Sequence, residues 1–374
     1  MKIKTITCHD VYNVGASLQA YALVTYLKSL GHDTEIIDYK PEYLSRHYRL
    51  WGGASPKFNK PLVREIYSLA KLPGRLKAKS SKRKKEYDSF KENYLPVTAR
   101  RYSSNEELKQ NPPQADVFFA GSDQIWNTKF PNGKDPAFFL DFAPDSAIRA
   151  SYAASFAVSD IEDEWKDIVK SRLEKLDFIA VREKSGVKII ENLGINRSVQ
   201  VSDPVFLLQR EQWEKIAVSP ETGECYILVY DFDGNTDIER LVKKLAEERQ
   251  CKIYSVLPCS YADRCFDQEG PLMFLGLIRD AECVVSNSFH STAFSVIFNK
   301  QFFVFQRHEG INTRMKDLMK DLGLSSRLIS GGSVDELVVS TIDYQQVEEK
   351  RESMAAYSKK YIDEVLKAAD RKSE

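Results

Sequence analysis

The sequence contains no long apolar run, and this absence limits where the protein can work. No stretch of its 374 residues approaches the roughly 20 apolar residues that a membrane-spanning helix needs. The amino terminus, MKIKTITCHD, has no apolar core of the kind found in secretory signals. We therefore expect a cytoplasmic protein that works in solution or peripherally, at the inner face of a membrane.

The sequence also lacks an excess of charge of either sign. Lys and Arg together number 54, Asp and Glu also number 54, and the formal net charge is +0. Nucleic-acid-binding proteins usually carry a clear positive excess, so no nucleic acid is expected as a partner. Hydrophobic residues make up 43% of the chain and charged residues 29%. This balance is typical of a globular protein with enough apolar material for two cores.

No two of the six cysteines have the CxxC spacing of zinc or redox motifs. The cysteine spacing therefore argues against a zinc site or a redox motif. The even number of cysteines leaves disulfides open as an alternative. However, Cys8, Cys225, Cys251 and Cys283 lie in or beside strand-like apolar runs, where a free cysteine behaves as a small hydrophobic residue. Reduced thiols, and hence a reducing compartment, are the favoured interpretation.

Short apolar runs alternate with helix-like segments along most of the chain. Residues 2–7 predict a strand, the stretch that ends at Gly31 predicts a helix, and residues 34–39 predict a second strand. A strand, a crossover helix and a strand within about 40 residues are typical of a parallel sheet. Further strands are predicted at 115–122, 148–155, 176–183, 199–208, 225–232, 252–258, 282–288 and 301–306.

This alternation predicts an α/β fold with two Rossmann-like domains in tandem, each a parallel sheet with flanking helices. The pattern breaks near 206–224, so we divide the chain into 1–210, 211–343 and a C-terminal helix at 344–374 that could pack back on the first domain. Residues 41–115 hold aromatic residues, prolines and basic residues, and are interpreted as a helical insertion. Such a pair of domains resembles the GT-B architecture, in which ligands bind at the carboxyl ends of strands.

Two polar segments follow predicted strands of the first domain. NVGASLQAYAL, at 13–23, can present backbone N–H groups and a helix dipole to a ligand. Its alternative is a tight turn that Ser17 caps, with no ligand. GSDQIWN, at 121–127, combines Asp123 with Trp126, a mixture that is common in sugar sites. Its alternative is an aromatic anchor of a surface loop.

A third segment, FIAVREKSG, places Arg182 at the end of a buried-looking strand. A buried guanidinium needs a carboxylate or a phosphate, and a salt bridge to Asp203 or Glu183 is the alternative to a ligand. In a fourth segment, VSNSFHSTAFSVI, His290 falls near the start of a helix. A histidine there can exchange protons near neutral pH, although a lone histidine is more often structural.

Two clusters of positive charge remain to be interpreted. FQRHEGINTRMKDLM follows a buried strand with Arg307, His308, Asn312 and Arg314, which form either a ligand-binding cluster or a solvated loop and helix cap. RLKAKSSKRKK, at 75–85, could dock on anionic lipid headgroups or on a lipid diphosphate. Its composition favours a solvated helical face.

In their order along the chain, five segments resemble the polysaccharide pyruvyl transferase family. They are NVGASLQAYAL, GSDQIWN, VREKSG, SDPVF and SNSFHSTAFSVIFNKQFFVF, and they run from residue 13 to about residue 305. The resemblance implies a GT-B-like enzyme that requires no metal and no cofactor, with phosphoenolpyruvate as co-substrate. Such an enzyme moves the pyruvyl group of phosphoenolpyruvate onto two hydroxyls of a sugar in a polysaccharide or its lipid-linked precursor. The products are a cyclic ketal and phosphate.

The resemblance also implies the residues that hold the donor. Family members place an arginine at the position of Arg182 and a histidine at that of His290 around phosphoenolpyruvate. His290 is therefore the candidate catalytic acid or base. Some members carry an arginine two residues before the histidine, where this chain has Ser288. We expect Arg307 or Arg314 to supply the missing charge. The residues predicted to bind the donor are Arg182, Ser288, Arg307 and Arg314.

The acceptor side is expected to lie in the first domain. Asn13, Gln19, Asp123 and Trp126 are predicted to face the sugar, which can be linked to a lipid diphosphate. In that case the basic stretch 75–85 would contact the membrane. Two alternatives are a GT-B glycosyltransferase that uses a nucleotide sugar and a non-catalytic carbohydrate-binding relative.

Overall fold

The computed structural model describes residues 1–44, 80–307, 312–329 and 340–373. It contains two parallel sheets with helices on their faces, which confirms the predicted α/β fold with two Rossmann-like domains. Within these residues, no helix combines the length and the apolar composition that crossing a membrane requires.

A parallel sheet forms the centre of the first domain. Its strands are β1 (Lys2–Ile6), β2 (Asp33–Tyr39), β3 (Val97–Tyr102), β4 (Val117–Ala120), β5 (Ile148–Ser151), β6 (Ile179–Val181) and β7 (Ser198–Gln200). The first five are hydrogen-bonded in the order β3–β2–β1–β4–β5. The β6–β7 pair continues the sheet beyond β5 through backbone bridges such as Ala150 to Phe178. The strand order reverses between β1 and β4, which opens a crevice at their carboxyl ends.

The sheet of the second domain repeats this arrangement. Its strands are β8 (Tyr226–Tyr230), β9 (Lys252–Ser255), β10 (Arg264–Cys265), β11 (Cys283–Ser286), β12 (Gln301–Phe305) and β13 (Leu328–Ile329). They lie in the order β10–β9–β8–β11–β12–β13, and every pair is parallel. All residues of β8 and β11 are buried, as expected for the centre of a sheet covered on both faces. The second crevice lies between β8 and β11.

Helices connect these strands and cover both sheets. They are α1 (Val14–Ser29), α2 (Lys82–Tyr94), α3 (Asn105–Gln110), α4 (Pro131–Lys134), α5 (Asp163–Leu173), α6 (Lys184–Asn192), α7 (Arg210–Glu214), α8 (Thr236–Arg249), α9 (Pro271–Asp280), α10 (Phe289–Ile297), α11 (Thr313–Asp321) and α12 (Tyr344–Ser373). Short 3₁₀ turns occur at Pro136–Phe139, Pro204–Leu207 and Ser325–Arg327.

The last helix, α12, follows the second domain but packs on the first. The Tyr361 hydroxyl donates a hydrogen bond to the Ser151 carbonyl at 2.8 Å, and the Ser202 amide donates one to the Ser358 hydroxyl at 2.9 Å. Apolar side chains of α12, including Ile362, join the cluster that covers one face of the first sheet. The chain therefore crosses between the domains a second time.

The expectation of a helical insertion at 41–115 is wrong for residues 97–102. Residues 97–102 form β3, which pairs in parallel with β2 at the edge of the first sheet. The arginines of this strand hid it from the sequence pattern, because an edge strand tolerates exposed charges that a central strand does not. Of the basic stretch 75–85, residues 80–85 are described and lead into α2, whereas 75–79 lie outside the described residues.

The expectation of six reduced thiols is also wrong. Cys225 and Cys251 form a disulfide. They immediately precede β8 and β9, neighbouring parallel strands whose register sets Tyr226 opposite Lys252. This register brings the two cysteines together at the amino ends of the strands, a proximity that sequence spacing did not reveal. The remaining cysteines, Cys8, Cys259, Cys265 and Cys283, are free.

Candidate functional site

The crevices of the two sheets face each other and enclose a cavity of about 110 Å³, which we call the cleft cavity. The loops after β1 and β4 form one wall, and those after β8, β11 and β12 form the other. Several polar side chains line it, namely Asn13, Asp123, Gln124, Asn287, Ser288, His290, Arg307, Asn312 and Arg314. The volume is several times the roughly 10–15 Å³ that one water molecule needs.

Three helices begin at this cavity and direct their positive ends towards it. The residues that precede α1, α10 and α11 are Asn13, Ser288 and Asn312, and all three line the cavity. The first turn of each helix contains no acidic residue. The positive ends of the helix dipoles are therefore not compensated within their own helices, and the cavity suits an anion.

A buried carboxylate joins two of the predicted site residues. Asp203 is 1% exposed. It accepts a hydrogen bond from the Arg182 guanidinium, and its Oδ2 lies 3.6 Å from Nε2 of His290. Burial alone would raise the pKa of Asp203, but Arg182 and His290 outweigh it and hold that pKa well below its usual range. Asp203 is thus a charged group that fixes both side chains.

Arg182 and Arg314 both contact one aromatic ring, that of Phe289. Their guanidinium carbons are 4.8 and 5.5 Å from the centre of the Phe289 ring. Arg314 is 8% exposed, and burial, together with the positive charge of Arg182, lowers the pKa of Arg314 to about 10. Phe289 and Arg314 line the cleft cavity, whereas Arg182 lies behind them.

Asp123 is the acidic residue that faces these arginines from the first domain. It adopts a left-handed backbone with φ of 74° near the start of the loop after β4. Its Oδ1 lies 3.4 Å from Arg182 and 3.7 Å from Arg314. Burial would raise the pKa of Asp123, but the two arginines and His290 lower it overall. Because Arg314 belongs to the second domain, this contact joins the two walls of the cavity.

Glu183 is fully buried and supports the backbone behind Arg182. One of its carboxylate oxygens accepts hydrogen bonds, each of 2.9 Å, from the Ser155 hydroxyl and the amides of Phe156 and Ala157. Burial raises the pKa of Glu183. It fixes the strand end that carries Arg182 rather than pairing with the guanidinium.

The start of α1 fits against His290 without space for a side chain at Gly15. A Cβ atom added to Gly15 would lie 2.0 Å from Nδ1 of His290. The imidazole therefore packs directly on the backbone of the first domain while Nε2 faces Asp203. Neither the sequence spacing nor the glycine itself suggested this contact, because it links residues 275 positions apart.

The structure does not bring two of the predicted acceptor residues to the cavity. Gln19 is fully buried. Its side-chain nitrogen donates hydrogen bonds to the Thr7 hydroxyl and the Ala16 carbonyl, and its side-chain oxygen accepts one from the Ser122 backbone amide. It therefore holds the loop after β1 against the loop after β4. Asn13 does line the cavity, where its side chain caps α1 by accepting from the Ala16 amide at 3.1 Å; Ser17 is not the cap.

Trp126 is likewise internal. It is fully buried, stacks on Phe139 and donates from its indole nitrogen to the Phe138 carbonyl at 2.9 Å. It anchors the loop that presents Asp123, which was the alternative that the sequence left open.

The predicted donor residues of the second domain line the cavity in different ways. Ser288 caps α10 by accepting from the Ser291 amide at 3.4 Å. Arg307 stacks on the Phe232 ring at 4.7 Å and approaches Asp233 at 3.6 Å. His308 lies outside the described residues.

Asn287 is a lining residue that sequence reasoning missed. Its side-chain nitrogen donates a hydrogen bond to the Asp231 carboxylate, and its side-chain oxygen accepts one from the Phe232 amide. These bonds join the loops after β8 and β11. Its position directly after a buried strand was the signal that could have identified it.

The described part of the basic stretch is engaged within the molecule. Lys82 pairs with Glu269, and Arg83 donates to the carbonyls of Asp267 and Tyr12. These contacts tie α2 to the second domain. Within the described ranges, no group of three or more His, Cys, Asp and Glu side chains is placed to hold a metal ion.

Comparison with solved structures defines the class of fold. A glycosyltransferase from Rickettsia africae is 10% identical over 100% of this chain and 98% of its own, with a TM-score of 0.51. A protein described as a UDP-N-acetylglucosamine 2-epimerase, from Listeria monocytogenes, is 10% identical over 95% of this chain and 90% of its own, with a TM-score of 0.50. Together with the facing sheets, these similarities identify a GT-B fold.

Comparison of the sequence defines the family. The model of the polysaccharide pyruvyl transferase family matches residues 13–309, and the chain therefore belongs to that family. No curated protein matches the chain in sequence.

Proposed function

We propose that the protein transfers the pyruvyl group of phosphoenolpyruvate to two hydroxyls of a sugar, forming a cyclic ketal and releasing phosphate. The observation that carries this proposal is the cleft cavity, where three uncompensated helix starts meet His290, Arg307 and Arg314. Phosphoenolpyruvate carries a phosphate and a carboxylate, and helix starts and arginines are the groups that bind both. Family membership supports the same reaction class.

Arg314 is the arginine that best replaces the one absent at Ser288. It is buried, lines the cavity and shares the Phe289 ring with Arg182. Arg307 reaches the cavity from the neighbouring loop. Arg182 contributes its charge from behind this wall and, through Asp203, holds the imidazole of His290.

The proposed reaction begins with transfer of a proton to the methylene carbon of phosphoenolpyruvate, which makes C2 an electrophile. One sugar hydroxyl adds to C2, the bond between C2 and the phosphate oxygen breaks, and the second hydroxyl closes the ketal. The two hydroxyls lose two protons, of which one balances the new methyl group and the other leaves with phosphate. We assign the proton exchange to His290, whose imidazole lines the cavity and whose Nε2 lies 3.6 Å from the charged carboxylate of Asp203.

The acceptor sugar approaches the wall that Asn13, Asp123 and Gln124 form in the first domain. Amide and carboxylate groups suit the hydroxyls of a sugar. The acceptor belongs to a polysaccharide or to its lipid-linked precursor.

Arg314→Ala tests the donor assignment, with Lys316→Ala as the control because Lys316 is exposed on the same helix. Calorimetric titration with phosphoenolpyruvate should show binding weakened by about tenfold or more in Arg314→Ala, since a buried charge-assisted contact is lost. Lys316→Ala should match the wild type. Equal affinity of all three proteins would contradict the assignment.

A further inference from the structure

Helix α2 lies at the junction between the two domains and contacts both of them. On the side of the first domain, the Tyr12 hydroxyl donates a hydrogen bond to Asp88 of α2 at 3.0 Å. On the side of the second domain, Glu86 packs so closely that a Cβ atom added to Gly270 would lie 2.8 Å from the Cβ of Glu86. Of the residues described in the lining of the cleft cavity, none belongs to α2, and the proposed transfer assigns this helix no role.

One side chain of α2, that of Arg83, donates hydrogen bonds to both domains at once. Its Nη2 donates to the carbonyl of Tyr12 in the first domain at 3.0 Å, and its Nη1 donates to the carbonyl of Asp267 in the second domain at 3.0 Å. The guanidinium carbon lies 5.0 Å from the centre of the Tyr87 ring on the same helix. Because the guanidinium is planar and its donors point in fixed directions, both bonds form only when the two carbonyls keep one relative position. We call this contact the Arg83 bridge.

The two carbonyls of the Arg83 bridge belong to segments that lead into the two walls of the cleft cavity. Tyr12 has a left-handed backbone with φ of 54° and directly precedes Asn13, which lines the cavity at the start of α1. Asp267 lies in the segment that leads into α9, whose Phe274 lines the cavity from the second domain. A change in the distance between the two carbonyls therefore moves one wall relative to the other.

The positive charge of Arg83 also reaches the cavity. Tyr230 lines the cavity and is 5% exposed. Burial raises the pKa of Tyr230 to about 12, although the charges of Arg83 and Arg307 oppose the rise. Position and charge are therefore two separate ways in which Arg83 can act on an anionic ligand. The substitution Arg83→Lys keeps the charge but removes the planar arrangement of donors that the bridge uses.

We propose that Arg83 is a positioning residue, which holds the loop before α1 against the second domain and so keeps the cleft cavity in the shape that binds the donor. Arg83 acts through Tyr12 and Asp267 and does not touch the ligand. The inference rests on the proposed function for the identity of the donor, phosphoenolpyruvate. The bridge between the domains does not depend on that identity, so it can be tested with and without a ligand.

The first experiment is calorimetric titration of the full chain with phosphoenolpyruvate, at a temperature well below the unfolding midpoint of each variant. Arg83→Lys and Arg83→Ala should each bind about tenfold more weakly than the wild type, because neither keeps both bonds of the bridge. Lys85→Ala is the matched control, since it removes the same charge from an exposed position of α2. It should bind phosphoenolpyruvate as the wild type does.

The second experiment is hydrogen exchange followed by mass spectrometry, without a ligand. Residues 13–17 and 266–269 adjoin or contain the two bonded carbonyls, and both segments include hydrogen-bonded amides. Amides of both segments should exchange about tenfold faster in Arg83→Lys than in the wild type, because loss of the bridge allows the two segments to open locally. Exchange in the buried strand β11 should stay unchanged, and Lys85→Ala should match the wild type in all of these segments.

The inference is overturned if Arg83→Lys binds phosphoenolpyruvate as tightly as the wild type, because the charge of Arg83 rather than its position would then account for any loss in Arg83→Ala. It is also overturned if the exchange of residues 13–17 and 266–269 in Arg83→Lys matches that in Lys85→Ala. A wild type that binds no phosphoenolpyruvate would contradict the proposed function, and the exchange experiment would then decide the inference by itself.

Discussion

Asp203 shows how the properties of a single residue depend on its contacts. It sits 21 positions from Arg182 and 87 from His290, and the sequence supplied two partners for the arginine without choosing between them. The fold chooses Asp203, because Glu183 is occupied by backbone amides. Strand-end position singled out His290 and Arg314, and both line the cleft cavity. The same position gave no sign that the side chains of Gln19 and Trp126 are buried elsewhere, because periodicity does not reveal in which direction a loop side chain points.

Replacing Asp203 with Asn should strongly destabilise the protein. The substitution leaves Arg182 buried with Asp123 as its remaining carboxylate, and removing one partner of a buried pair costs about 3–5 kcal/mol. The midpoint of thermal unfolding at pH 7 measures the effect. Asp321→Asn is the control, since it breaks the more exposed pair with Lys184, where about 0–1 kcal/mol is expected. Similar losses in both variants would contradict the role given to Asp203.

Replacing Gly15 with Ala should weaken phosphoenolpyruvate binding while the fold remains. The new Cβ would meet Nδ1 of His290 at 2.0 Å, so the imidazole or the helix start must move. We expect about a tenfold loss of affinity by calorimetry. Gly186→Ala is the control, because its Cβ would meet Val181 in the core at 3.2 Å, away from the cleft. An unchanged affinity in Gly15→Ala would argue against a donor site at His290.

At the scale of elements, the chain order of strands and helices was predictable because central parallel strands are apolar and their helices are periodic. The strand at the edge of the first sheet was not predictable. Strand β3 carries Arg100 and Arg101 and was interpreted as part of an insertion. The disulfide between Cys225 and Cys251 depends on the pairing of β8 with β9, which no single strand encodes.

The edge of the first sheet provides a prediction of pH dependence. Asp38 on β2 accepts from Arg101 on β3 at 2.9 Å and lies 3.5 Å from His9. Burial would raise the pKa of Asp38, but His9 and Arg101 lower it to about 2. An unfolded Asp has a pKa near 3.9, so the charged form should stabilise the fold by about 2 kcal/mol above pH 4.

Because the folded pKa is the lower one, this contribution is lost as the pH falls from about 4 to about 2. Asp38→Asn should therefore lower the unfolding midpoint at pH 7 and converge with the wild type near pH 2. Unfolding followed by circular dichroism at several pH values measures the difference. A difference that stays constant down to pH 2 would show that the carboxylate charge is not responsible.

At the scale of the whole molecule, two Rossmann-like domains meet through their crevices and are joined again by α12. The sequence predicted both domains and a C-terminal helix, because each has its own periodic pattern. It could not predict how the domains face each other. That relation depends on contacts such as Asp123 with Arg314 and Gly15 with His290, whose partners lie in different domains. The cleft cavity is a product of this relation.

The most direct test of this account is calorimetric titration of the wild-type protein with phosphoenolpyruvate and, separately, with uridine diphosphate. Both ligands are anionic, but only phosphoenolpyruvate combines a carboxylate with a phosphate, the two groups that the proposed donor site binds. The account predicts saturable binding of phosphoenolpyruvate that His290→Ala and Arg314→Ala weaken, and no binding of uridine diphosphate at the same concentrations. Tight binding of uridine diphosphate without binding of phosphoenolpyruvate would contradict it and would indicate a nucleotide-sugar enzyme of the same fold.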